Sequence, residues 1–137
     1  MEEKIKYAKS QATFTIFFDS DFEPSIISKF LGVNAKKIVL KKNADITPKN
    51  PRGLGYFQLA TNTGDDKFTE QAVTTILRPF IKKVDEINKI VSDNNGYCQL
   101  DLYVKTSKGY SIPDITLTKN AIKLLSSLNA VYKVNLV

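Results

Sequence analysis

Between Tyr97 and Thr106 the chain reads "YCQLDLYVKT", an unbroken alternation of apolar and polar side chains. A period of two belongs to a β-strand, so Cys98, Leu100, Leu102 and Val104 point to one face and Tyr97, Gln99, Asp101, Tyr103 and Lys105 to the other. Such a strand needs an apolar cover on one side only. The rest of the chain must therefore supply helices for one face of a sheet and leave the other face to solvent or to a partner.

The flanking patterns supply those helices. In "ATFTIFF" Phe14, Ile16 and Phe18 alternate with Thr13, Thr15 and Phe17, which makes Phe17 an aromatic on the polar, exposed face. Ile26, Ile27, Phe30 and Leu31 then recur at helical spacing, with Pro24 suited to a first turn and Gly32 to the position just past a helix end. "AKKIVLKK" reads as a second strand and "LGYFQLAT" as a third, with Phe57 and Leu59 inward and Tyr56 and Gln58 outward. A long periodic run follows Asp65 and Asp66, either of which suits a cap. It carries Phe68, Ala72, Val73, Ile76, Leu77, Phe80, Ile81, Val84, Ile87 and Val91 on its core face, and Pro79 should kink or divide it. Thr118 caps a short last helix bearing Ile122, Leu125 and Leu128, and "VYKVNLV" closes the chain as a strand. The order β-α-β-β-α-β-α-β implies an α+β fold, a mostly antiparallel sheet with helices packed on one face.

A chain of 137 residues, 42% of them hydrophobic, fits a single domain spanning residues 1–137. At this length roughly 70% of the unfolded surface is buried. Cys98 has no cysteine to pair with, and "MEEKIKYAKS" contains no apolar run that could act as a signal or a span. A reducing, cytoplasmic setting with no membrane contact is expected.

The net charge of +6 is local. Lys29, Lys36, Lys37, Lys41, Lys42, Lys49 and Arg52 face Asp45 alone, and that excess accounts for the whole net charge. Lys36, Lys37, Lys41, Lys42 and Arg52 form a candidate basic patch for phosphate or an acidic protein. The same lysines also suit an edge strand that discourages pairing with other chains.

The acidic stretch "DSDFE" after the first strand admits two readings. A calcium loop needs alternating acids followed by glycine, and here Asp19, Asp21 and Glu23 are followed by Pro24. As the start of a helix the stretch makes sense, because Asp21 or Glu23 can receive orphan amide protons and Pro24 lacks the amide that would go unused. The chain has no histidine, which removes the usual general base, the usual triad and most zinc or iron sites. Cys98 alternates with leucines and reads as core, and "RGLG" lacks the Gly-Lys-Ser/Thr ending of a phosphate loop. A non-enzyme without metal or cofactor is expected.

The stretch "FFDSDFEPSIISKFLGV", "GYFQLAT" ahead of a long proline-containing helix, and "ITLTKNAIKLLSSLNAVYKVNLV" together resemble the bacterial domain-of-unknown-function family 4279 over nearly the whole chain. The most specific part is Asp21, Phe22, Glu23 and Pro24 leading into a helix that ends at Leu31 and Gly32. One departure is Phe57, where the family usually has tryptophan. The resemblance implies a small soluble bacterial protein of this fold with no established activity, and it lends no catalytic residues.

Two binding surfaces compete. Phe17, Tyr56, Tyr97, Tyr103 and Lys105, with Gln58, Gln99 and Asp101, make a mixed aromatic and polar face of the composition found in interface hot spots. This favours a protein partner, and by analogy of size and architecture an immunity-type protein that neutralises a toxin by direct binding, as monomer or homodimer. The basic charge argues against a toxin that is itself a basic nuclease. The alternative is single-stranded RNA. The first six elements follow the order of the RNA-recognition motif, and "RGLGYFQL" resembles its longer signature at Arg52, Gly53, Gly55 and Tyr56, with Phe17 in a stacking position. Leu54 and Leu59 replace aromatics of that signature. A small-ligand-binding regulatory domain is a third class, with no pocket signature in the sequence.

Overall fold

The computed structural model describes residues 4–61 and 68–137. Its centre is β1 (Lys9–Phe18), paired antiparallel with β3 (Gly55–Ala60) on one side and β4 (Tyr97–Lys105) on the other. The three-residue β2 (Lys37–Val39) closes one edge against β3, and β5 (Val131–Leu136) closes the other, parallel to β4. The sheet order is β2-β3-β1-β4-β5. Parallel neighbours need a crossover, which α4 (Lys119–Ser127) provides between β4 and β5. The preceding elements, with α1 (Ser25–Leu31), α2 (Glu70–Leu77) and α3 (Val84–Asp93), form a split β-α-β-β-α-β unit. The fold is α+β and mostly antiparallel, as the alternation requires.

The helices cover the face that carries Phe14, Ile16, Phe18, Phe57, Cys98, Leu100 and Leu102, all fully buried in one apolar cluster. Burying a side chain of this kind contributes about 1.5–3 kcal/mol. Pro79 does divide the long helical run. It sits in a 3-10 turn, Arg78–Phe80, between α2 and α3, and that turn brings Phe80 within 4.7 Å, ring to ring, of Phe14. Gly32 ends α1 in the left-handed region at φ 67°, and the Thr118 hydroxyl accepts the Ala121 amide at 3.1 Å at the start of α4.

Several expectations need correction. Phe17 is buried, at 6% exposure, although it lies on the sheet face away from the helices. Ile26, Phe68, Ile81 and Ile122 are exposed, while Val73, Ile76, Leu77, Ala121 and Leu125 carry the helical core positions. At the start of α1 Pro24, rather than an acid, occupies the cap position, while Glu23 accepts the orphan Ser25 amide at 3.4 Å. Asp65 and Asp66 lie outside the described residues. Gly96 has a clear steric reason, because a Cβ there would overlap the Phe17 carbonyl oxygen where α3 hands over to β4.

Candidate functional site: a basic groove on the outer sheet face

The site is built on the side chains that β1, β3 and β4 turn away from the helices. Phe17 is in register with Tyr56 on one neighbouring strand and with Tyr97 on the other. Its ring stacks on Tyr97 at 4.9 Å and tilts against Tyr56 at 5.8 Å. Phe17 thereby packs against a tyrosine on each neighbouring strand, and burial pushes the Tyr97 phenol above its ordinary pKa. Leu54 is likewise buried outside the main core.

The connection between β2 and β3 folds back across the same face. Asn50 organises it: its side chain accepts the Leu54 amide and donates to the Leu54 carbonyl, each at 2.9 Å, while Thr47 and Asn50 pair through their backbones. Gly53 turns the chain at φ 61°. The Asp19 carboxylate, at the end of β1, grips both ends of this connection, Lys41 at 2.8 Å and Arg52 at 2.7 Å. The Lys41 hydrogen bond is the largest influence holding the Asp19 carboxyl below its ordinary pKa. From the tip of the connection Lys49 reaches across β1 to lie 4.6 Å from the centre of the Tyr103 ring on β4.

What remains open is a groove of about 830 Å³. Gln11, Thr13 and Thr15 of β1 and Gln58 of β3 form its polar floor, and Phe17, Tyr56 and Tyr103 are its aromatic parts. Five lysines line it, Lys9, Lys36, Lys37, Lys49 and Lys105, and among the described residues no acidic side chain does. Gln58 donates to the Thr15 hydroxyl at 2.9 Å, whereas the buried Thr13 hydroxyl has no hydrogen-bond partner. Asp101, a carboxylate buried on this face, is satisfied by Gln99 at 2.8 Å and Asn135 at 3.2 Å and does not line the groove.

The residues expected at a site are therefore brought together in part. Tyr56, Tyr103 and Lys105 line the groove, as do Lys36 and Lys37 of the basic patch, while Tyr97 packs behind Phe17. Lys41 and Arg52 are engaged by Asp19, and Lys42 is exposed on the 3-10 turn after β2. Lys9, Lys49, Gln11, Thr13 and Thr15 were missed as groove residues. The β1 alternation placed the threonines on the correct face, but nothing in the sequence showed that Lys49 would cross over them.

The arrangement offers cations, hydroxyls and amides and no activated nucleophile. Cys98 is fully buried, and burial pushes its thiol up to about 12. Among the described residues no group of three His, Cys, Asp or Glu side chains could hold a metal ion, and no helix is long and apolar enough to cross a membrane.

Comparison with known proteins yields one match. No curated protein and no solved structure matches the chain. Residues 6–136 match the family described as "Domain of unknown function (DUF4279)", and because that match covers nearly all of the sequence, the chain belongs to this family.

Proposed function

We propose that this chain is a non-catalytic binding domain that takes an acidic protein partner on the outer face of its sheet. The observation that carries this reading is the convergence of five lysines, with no acidic side chain among the described residues that line it, on one groove beside half-buried tyrosines. Positive potential focused in a concave surface steers an acidic partner, and aromatic side chains at its edge supply anchors. An immunity-type role, neutralising an acidic bacterial toxin by direct binding in the cytoplasm, is the form of this reading that the size of the chain favours. RNA fits less well, because Phe17, stacked on Tyr97 and packed against Tyr56, is only 6% exposed and leaves little surface for a base.

Affinity capture from the native cells, with and without nuclease, tests the proposal. An acidic protein should survive nuclease treatment and be lost when Lys37 and Lys105 are both changed to Glu. Recovery of RNA alone would overturn it.

A further inference from the structure

The cations of the groove are not spread evenly. Lys9 and Lys105 stand directly opposite one another on β1 and β4, and Lys49 lies over Tyr103, two positions along β4 from Lys105. These three form one pole. The second pole is Lys36 and Lys37 at the β2 edge, with Lys37 Nζ 5.9 Å from the centre of the Tyr56 ring. Through Gln58, Lys37 is in register with Thr15. From Lys9 to Thr15 along β1 is about 20 Å, and from β1 to β2 is two strand spacings, about 9.5 Å.

Like charges directly opposite on paired strands destabilise a sheet. Among the described residues no carboxylate side chain pairs with Lys9, Lys49 or Lys105, and the ion pairs found there are both made by Asp19. Between the poles lies the Thr13 side chain, 4% exposed, whose hydroxyl has no partner. A compact anion such as phosphate reaches one pole only. An anion that satisfies both must be elongated, with negative groups at its two ends and hydrogen-bonding groups between them for the Thr13 floor.

Resting on the reading above that the partner is a protein, we infer that the groove holds an extended acidic peptide segment, with carboxylates about six residues apart at roughly 3.3 Å per residue. The backbone of such a segment supplies the central hydrogen-bonding groups. Its carboxylates meet Lys9, Lys49 and Lys105 at one end and Lys36 and Lys37 at the other. An oligonucleotide matches the charge, but Phe17, at 6% exposure, offers its bases little stacking surface.

Fluorescence anisotropy with the intact chain tests this. The probes are labelled Gly/Ser peptides carrying two Asp-Asp pairs whose inner Asp residues are six or two positions apart, and a uridine oligonucleotide of equal charge. The wide spacing should bind at least about tenfold more tightly than the narrow one and more tightly than the oligonucleotide. Lys105→Gln or Lys37→Gln should abolish that preference, and Lys42→Gln should not. Lys105→Gln should also raise the melting temperature slightly by relieving the repulsion with Lys9, so its loss of binding is distinguishable from a loss of fold. Equal affinity for both spacings, or tighter binding of the oligonucleotide, would overturn the inference. If cells yield a nuclease-resistant partner that needs Lys37 and Lys105 while neither peptide binds, the inference fails and the protein-partner reading stands. If they yield only RNA, that reading fails as well.

Discussion

The Asp19 carboxylate lies 2.7 Å from the Arg52 guanidinium and ties the end of the central strand to the connection that walls the groove. Asp19 is more than a corner residue between β1 and α1. Asp19→Asn should leave the fold intact and loosen the connection from residue 44 to residue 54. Hydrogen exchange should quicken at the Leu54 and Gly53 amides and remain unchanged in β4. Because the folded-state pKa of Asp19 is depressed, the clamp is complete above its ordinary value of 3.8 and is lost only as pH falls through the lower folded value. The groove wall should thus be unaltered between neutral and mildly acidic pH, and loosening near pH 6 would show that another group governs it.

Phe17 acts first on stability. At 6% exposure and packed between two tyrosines, it should behave as a core residue, and Phe17→Ala should cost about 3–5 kcal/mol in urea denaturation. A loss below about 1 kcal/mol, accompanied by weakened binding, would return it to the role of an exposed anchor.

Thr13→Val separates function from stability in the opposite direction. The substitution is close to isosteric and removes a buried hydroxyl that pairs with nothing. It should raise stability by about 1 kcal/mol, since an unsatisfied buried polar group is costly. A destabilising result would mean that the hydroxyl is hydrogen-bonded in the free protein.

Cys98 should resist thiol reagents at neutral pH until the chain unfolds, because it is buried in the core and its thiol is pushed up to about 12. The linked pH effect has a definite sign. The unfolded chain loses this proton near 9 and the folded chain does not, so the contribution of Cys98 to stability is full below pH 9 and declines as pH rises from 9 toward 12. Alkaline titration of the melting temperature for the native chain and for Cys98→Ala checks it; identical slopes would contradict the assignment.

The strands were legible because a period of two assigns each side chain to a face with no ambiguity once one residue is placed. Cys98, Leu100, Phe57 and Leu59 all point as their alternation requires. Helix faces were less so. Ile26, Ile81 and Ile122 satisfy a helical spacing and still lie outward, because the apolar stripe is broad and, for Ile81, because the break at Pro79 resets its phase. The groove was the least legible part. Its wall depends on Asp19 with Arg52 and on Asn50 with Leu54, the first pair well separated in the chain and the second a turn that no hydrophobic pattern announces. In the same way the alternation sets the face of Phe17 but not the cover that its neighbouring tyrosines give it.

The pairing of β1 with β4 also sets when the protein can fold. The strand richest in phenylalanine emerges early in synthesis, and the strand that completes its pairing lies beyond three helices, with Lys9 matched to Lys105. Until β4 has left the ribosome, one edge of the aromatic strand stays open to other chains, and contacts this far apart in sequence close slowly. Time spent on the ribosome is therefore when this protein is most exposed to aggregation.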